Sequence, residues 1–174
     1  MKRVIPTIQG LSLNVEESGL SFFENALLKA RAGAKKTGRP CIGDDSGIMV
    51  NALHGNPGIY SKRWRQAKQS QESIAHVLAD LKDFPKDERG AQMVCVLALV
   101  RRDPDYLPEF FVGIQHGFLL STPIGENGFG YDPFFYDVAD YQTNGQITLE
   151  EKMIRSHRGQ AVEKLRQYLK TNPL

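Results

Sequence analysis

The sequence predicts an α/β fold: a mixed, elongated sheet with helices packed beside it. Apolar runs of strand length alternate with amphipathic stretches of helical period. The alternation lacks a strict βαβ rhythm, which argues for a mixed rather than purely parallel sheet. The composition, 41% hydrophobic and 24% charged over 174 residues, suits a single domain spanning residues 1–174. A chain of this length buries roughly 70% of the surface its unfolded state exposes, so it needs neither disulfide nor structural metal to fold.

Taken in order, "VIPTIQGLSLN" reads as a strand and turn. A helix follows in "SFFENALLKARAGAKKTG", where Ser21 can cap and Glu24 lies at capping-box spacing. Phe22, Ala26, Leu27, Ala30 and Ala34 form its apolar stripe, while Lys29, Arg31, Lys35 and Lys36 mostly point elsewhere; Gly38 and Pro40 end it. "PCIGDDSGIMVNAL" shows two short apolar runs around an acidic turn, which predicts strand, turn, strand with "GDDSG" exposed between them. "GNPGIYSKRW" reads as a loop and a short helix, and "SQESIAHVLADLKDF" as an amphipathic helix carried by Ile74, Val77, Leu78 and Leu81. "AQMVCVLALVR" is apolar almost throughout, as a strand covered on both faces would be. "RDPDY" turns the chain into a partner strand at "LPEFFVGIQHGFLL". A short helix at "TLEEKMI" and a last one from His157 to Lys170, capped by Ser156, complete the chain.

The totals exclude some functions. A formal net charge of +2 is too small to argue for nucleic acid or an acidic membrane surface. Cys41 and Cys95 sit in apolar runs without zinc-site spacing, so both read as small buried hydrophobes. No stretch is long and apolar enough to span a bilayer, and no signal-peptide core follows Met1. A cytoplasmic protein is the expectation.

Four stretches carry chemistry. In "GDDSG", Asp44 and Asp45 could splay so that one holds a cation and the other orients water; an Asx-turn satisfying only backbone amides fits equally. Glu16 and Glu17 in "VEESG" could converge on the same Mg²⁺, or simply complement a helix dipole. In "EEKMIRSHRGQA", Lys152, Arg155, His157 and Arg158 crowd a helix junction, as an anion site or a solvated basic corner. In "IGENGFGYDPFF", Phe129 between Gly128 and Gly130 could present its ring to a planar base, with Asp132 within reach of a base edge. Phe134 and Phe135 read as core. Acidic metal ligands, a basic phosphate site and an aromatic base site are together the parts of a nucleotide hydrolase.

With these residues in view, the chain resembles the inosine-triphosphate pyrophosphatase family, the dITP/XTP pyrophosphatases. The shared patterns are "F-x-E-N-A-x-x-K-A", "D-D-S-G", "G-x-P-G-x-Y-S", "G-F-G-Y-D-P" and "E-E-K-x-x-x-S-H-R", in order from roughly Val15 to the C-terminus. The resemblance implies two lobes around a central cleft, a homodimer, and Mg²⁺-dependent hydrolysis of ITP, dITP and XTP to the monophosphate and pyrophosphate. It implies Asp45 as general base and metal carboxylate, with Ser46 beside it touching substrate. Glu16 or Glu17 would be the second acidic metal site. Phe129, Gly130, Tyr131, Asp132, Lys152, His157 and Arg158 would hold and recognise the nucleotide.

The pattern also departs from the family. Relatives begin with a strand and a phosphate-binding loop of the type "S/T-G-N-x-x-K", whereas "MKRVIPTIQGLSLN" resembles their second strand. Met153 stands where many relatives carry Asn. The departure predicts weakened triphosphate binding and an exposed part of the sheet. Either the true start lies upstream, or the chain is a shortened relative: an impaired enzyme, or a nucleotide-binding or dimerising protein without turnover.

Overall fold

The computed structural model describes residues 10, 13–64, 67–68, 70–105 and 107–174. Most of the strand expected in "VIPTIQGLSLN" lies outside them. The elements are α1 (Phe22–Thr37), β1 (Cys41–Val50), β2 (Pro57–Gly58), α2 (Ser70–Asp80), β3 (Gly90–Val100), β4 (Glu109–Leu119), β5 (Phe135–Asp137), β6 (Gln142–Thr143), α3 (Leu149–Arg155) and α4 (His157–Thr171). The sheet order is β2-β1-β3-β4-β5-β6. The α/β expectation holds, but every described strand pair is antiparallel where a mixed sheet was expected. β3 and β4 follow one another through a short turn, and a short connection can only reverse the chain, whereas β1 reaches β3 by way of β2 and α2.

β3 is the spine. Its alternate residues face opposite layers: Val94, Val96, Ala98 and Val100 pack with α1. Cys95, Leu97 and Leu99 pack with Phe111 and with Ala161 and Leu165 of α4. Coverage on both faces accounts for the unbroken apolar run read in the sequence. A third cluster joins Ile48, Val50 and Met93 to Ile74 and Val77 of α2, to Leu81 just past its end and to Phe135.

Both covering helices approach the sheet through a glycine. A side chain at Gly43 would strike the backbone of Ala26 and Ala30 in α1, and one at Gly113 would strike His157 and Ala161 in α4. The contact pairs a strand glycine with a helix alanine on each face, so each helix lies unusually close. This closeness places the middle of α1 against β1 and the first turn of α4 against β4.

The helix ends follow the sequence. Ser21 Oγ accepts from Glu24 N at 3.2 Å, and Gly38 closes α1 in the left-handed conformation at φ 64°. Thr148 and Glu151 form a reciprocal capping box on α3. Ser156 caps α4 by accepting from Gly159 N at 3.1 Å.

Candidate active site

The acidic "GDDSG" is a strand and not an exposed turn. Gly43, Asp44, Asp45, Ser46 and Gly47 pair with Ala98, Leu97, Val96, Cys95 and Val94 of β3 in unbroken register. Strand alternation therefore sends the two aspartates to opposite faces of the sheet. Each is met there by a cation from a helix, which is what lets carboxylates sit within a strand.

On the α1 face, Lys29 Nζ bridges Asp45 Oδ1 and Glu17 Oε1, at 2.7 Å each, and also donates to the Asp44 carbonyl at 3.0 Å. Arg63 Nη1 holds the other Glu17 oxygen at 2.6 Å. Asp45 is 6% exposed, and among the described residues its Oδ2 has no hydrogen-bond partner. Burial pushes the Asp45 carboxyl above the ordinary aspartate range, against the pull of Lys29 and Asn25. Burial would raise Glu17 too, but hydrogen bonds from Lys29 and Arg63 outweigh it and hold Glu17 below its usual value. Glu16, paired with Glu17 in the sequence reading, is exposed.

On the α4 face, Arg158 donates through Nε to Asp44 Oδ2 at 2.8 Å, and Ser46 Oγ donates to Asp44 Oδ1 at 2.7 Å. Burial alone would raise Asp44; the Arg158 guanidinium reverses this and holds it low. His157 is buried, and among the described residues its Nδ1 has no partner. Burial, with Arg158 and Lys152 nearby, depresses its pKa to about 3, so the ring is neutral.

The glycine-rich loop closes this side. Phe129 is 71% exposed between two glycines at positive φ, as its flanks suggested, and Lys152 Nζ lies 4.8 Å from its ring centre. Asp132, expected within reach of a base edge, is instead buried: its Oδ2 accepts from Phe129 N at 2.6 Å and pairs with Lys152. It braces the loop. Tyr131 is buried too, its hydroxyl donating to the Ser61 carbonyl at 3.2 Å.

Beyond Ile48 and Met49, which pair with β2, the outer edge of β1 has no strand neighbour among the described residues. A cavity of about 740 Å³ runs along that edge past Glu17, Lys29 and Asp44. A second, of about 200 Å³, lies among Ser46, Phe129, Lys152, His157 and Arg158. Lys62 lines both. Of the three residues placed together by the sequence reading, Phe129 and Arg158 line the smaller hollow, while Asp45 lines neither and meets the larger through its partners Glu17 and Lys29.

Three participants were missed. Lys29 was assigned to the outer face of its helix, yet it follows Phe22 and Ala26 and precedes Gly33 at the spacing of the buried stripe, a signal legible beforehand. Asp44, as anchor of Arg158, and Arg63, as partner of Glu17, carry no local signal, because their partners lie 114 and 46 residues away.

Comparison with known proteins identifies relatives of the chain. The dITP/XTP pyrophosphatase of Yersinia pseudotuberculosis serotype I (strain IP32953) is 48% identical over 151 residues, 86% of this chain and 77% of that protein. The dITP/XTP pyrophosphatase of Escherichia coli (strain K12) is 44% identical over 153 residues, 87% of this chain and 78% of that protein. Among solved structures, a HAM1 protein from Coxiella burnetii superposes with a TM-score of 0.86 at 39% identity, covering 91% of this chain and 81% of that one. The Staphylococcus aureus Ham1 protein gives 0.83 at 39% identity, covering 92% and 82%. A sequence model of the Ham1 family matches residues 2–168, and with relatives this similar over most of its length the chain belongs to the Ham1 family.

Proposed function

We propose that this chain hydrolyses ITP, dITP and XTP to the monophosphate and pyrophosphate, removing unusual purines from the nucleotide pool. The observation that carries the reading is Asp45: a buried carboxylate with raised pKa whose Oδ2 has no partner among the described residues, held by Lys29 together with Glu17, both of which line the larger hollow. The names of the relatives, dITP/XTP pyrophosphatases, support it.

Asp45 takes the proton of the attacking water, and its raised pKa makes it a stronger base than an ordinary aspartate. Glu17 and Asp45 offer hard oxygens and would hold Mg²⁺. Among the described residues no third acidic, His or Cys ligand joins them, which fits an ion that keeps waters and phosphate oxygens in its shell. When bound, the ion neutralises phosphate charge as the α-phosphorus is attacked. Lys29, between the two carboxylates, keeps both ionised and in place. Phe129 stacks on the purine, and Lys152, Arg158 and neutral His157 supply hydrogen bonds suited to a 6-oxo acceptor. Adenine, with a 6-amino donor there, leaves those groups unpaired in a partly closed site.

The assembly we infer is a homodimer of one-domain subunits. On the sheet face that α1 leaves uncovered, Phe118 stacks on Tyr136 at 4.8 Å and Ile114 is 38% exposed, an apolar surface that a second copy would bury. A cytoplasmic location fits an enzyme of the nucleotide pool; among the described residues no helix is long and apolar enough to cross a membrane. The test is pyrophosphate release from ITP, XTP, dITP, GTP and ATP with and without Mg²⁺. Mg²⁺-dependent release from ITP, XTP and dITP well above that from ATP is expected, GTP sharing the 6-oxo group and so not being rejected by this contact, and equal turnover of ATP and ITP would overturn the specificity.

A further inference from the structure

We infer that Gln115 and Asn144 are positioning residues of the purine site, a buried amide pair that sets the width of the slot between Phe129 and the basic corner; the inference rests on the nucleotide reading proposed above. Gln115, on β4, and Asn144, just past β6, are both buried. Gln115 Nε2 donates to Asn144 Oδ1 at 2.9 Å, and Asn144 Nδ2 donates back to Gln115 Oε1 at 3.1 Å. The same Nε2 donates to Asp137 Oδ2 of β5 at 2.5 Å, and Ala139 N donates to the other Asp137 oxygen at 2.7 Å. Among the described residues no buried side-chain atom of these three lacks a partner. Apolar side chains would fill this part of the core without the cost of burying amides. What the satisfied pair adds is a fixed direction and distance.

That distance matters because of what each end carries. Residues 143–145 clamp both ends of the glycine-rich loop. Thr143 Oγ1 donates to the Ile124 carbonyl at 2.6 Å, Asn127 N to the Gly145 carbonyl at 2.9 Å, and Gly145 N to the Asp132 carbonyl at 3.0 Å. The clamp is tight: a side chain at Gly145 would strike the Ile124 carbonyl and Pro133. Phe129 lies between the two held ends. On β4, Gly113 stands two residues before Gln115, on the same face and about 7 Å along the strand. The first turn of α4 meets the sheet there, with the backbone of His157 seated directly on Gly113. One strand therefore locates both walls of the smaller hollow: the basic wall through Gly113, the aromatic wall through Gln115 and Asn144.

The experiment compares the unsubstituted chain with Asn144→Leu, Gln115→Leu and the double variant. It reads hydrogen exchange of the loop amides, and binding of inosine and of inorganic tripolyphosphate by calorimetry. In each variant the amides of Ile124, Asn127 and Phe134, all hydrogen-bonded in the parent, are expected to exchange about tenfold faster, and inosine to bind about tenfold more weakly. Tripolyphosphate binding and the exchange of the β3 amides should stay as in the parent. The double variant should lose no more than Gln115→Leu, because the pair acts as one link. Asn144→Leu, which leaves Gln115 its bond to Asp137, carries the test if Gln115→Leu does not fold. Unchanged loop exchange, or faster exchange with unaltered inosine binding, overturns the assignment. So do additive losses in the double variant, and parallel weakening of both probes with faster β3 exchange, the mark of a purely structural pair. No inosine binding by the unsubstituted chain removes the purine site and this inference with it, whereas inosine binding without ITP turnover sinks only the hydrolysis.

Discussion

Asp44 and Asp45 are consecutive and chemically identical, the first half-buried and the second buried, yet the structure drives them in opposite directions. Asp45 faces α1, shares a lysine with Glu17 and is pushed up in pKa; Asp44 faces α4, owns an arginine and is held down. What separates them is the pleat of one strand. A single peptide step decides which helix each meets, and so which carboxylate can take a proton and which can only position a guanidinium.

The largest expected break of this comparison is Asp45→Asn. Removing the proton acceptor should lower kcat for pyrophosphate release about a thousandfold. Glu17 still pairs with Lys29, so the melting temperature should hold. Parallel collapse of melting and activity would make Asp45 structural.

On the α4 face the sharpest pH effect comes from His157. Its folded pKa, about 3, is depressed below the ordinary 6.5. The unfolded chain therefore binds a proton that the folded chain refuses, so stability is present in full above pH 6.5 and is lost as pH falls toward 3. The loss should approach about 1.4 kcal/mol per pH unit inside that window. Denaturant melts at stepped pH, compared between the parent and His157→Gln, would check it; identical slopes would remove His157 as the cause.

Asp44→Asn should be milder. Arg158 keeps a neutral partner but loses the charge that orients it, so KM for ITP should rise about tenfold with kcat little changed. Steady-state kinetics on ITP decides; a kcat defect as deep as that of Asp45→Asn would mean the two aspartates share one role.

How far the sequence could be read follows the same division between local and distant causes. Helix limits were legible because Ser21, Thr148, Ser156 and Gly38 act within four residues of themselves. The exposure of Phe129 was legible because Gly128 and Gly130 at positive φ lift it from the core. The strand through "GDDSG" was not. Its Gly, Asp and Ser favour turns by local propensity, and the cations that stabilise it as a strand come from Lys29 in one helix and Arg158 in another. Nor was the role of Asp132 legible. Nothing local foretells that its carboxylate is used by Lys152, twenty residues on.

The smallest effect belongs to Ser46, and it bears on how far the α4 face extends. The family resemblance implied that Ser46 touches substrate, whereas its hydroxyl here donates to Asp44 Oδ1 at 2.7 Å while also lining the smaller cavity. If Ser46 acts by steadying Asp44, Ser46→Ala forfeits one hydrogen bond to a carboxylate that keeps Arg158, and kcat/KM for ITP should fall about threefold to tenfold. In the Asp44→Asn background the same substitution should then cost almost nothing further, because the group it steadies is already altered. A hydroxyl that meets the nucleotide directly would instead give losses that multiply. The double-mutant cycle in kcat/KM separates the two, and additive losses would move Ser46 from the support of Arg158 to the substrate itself.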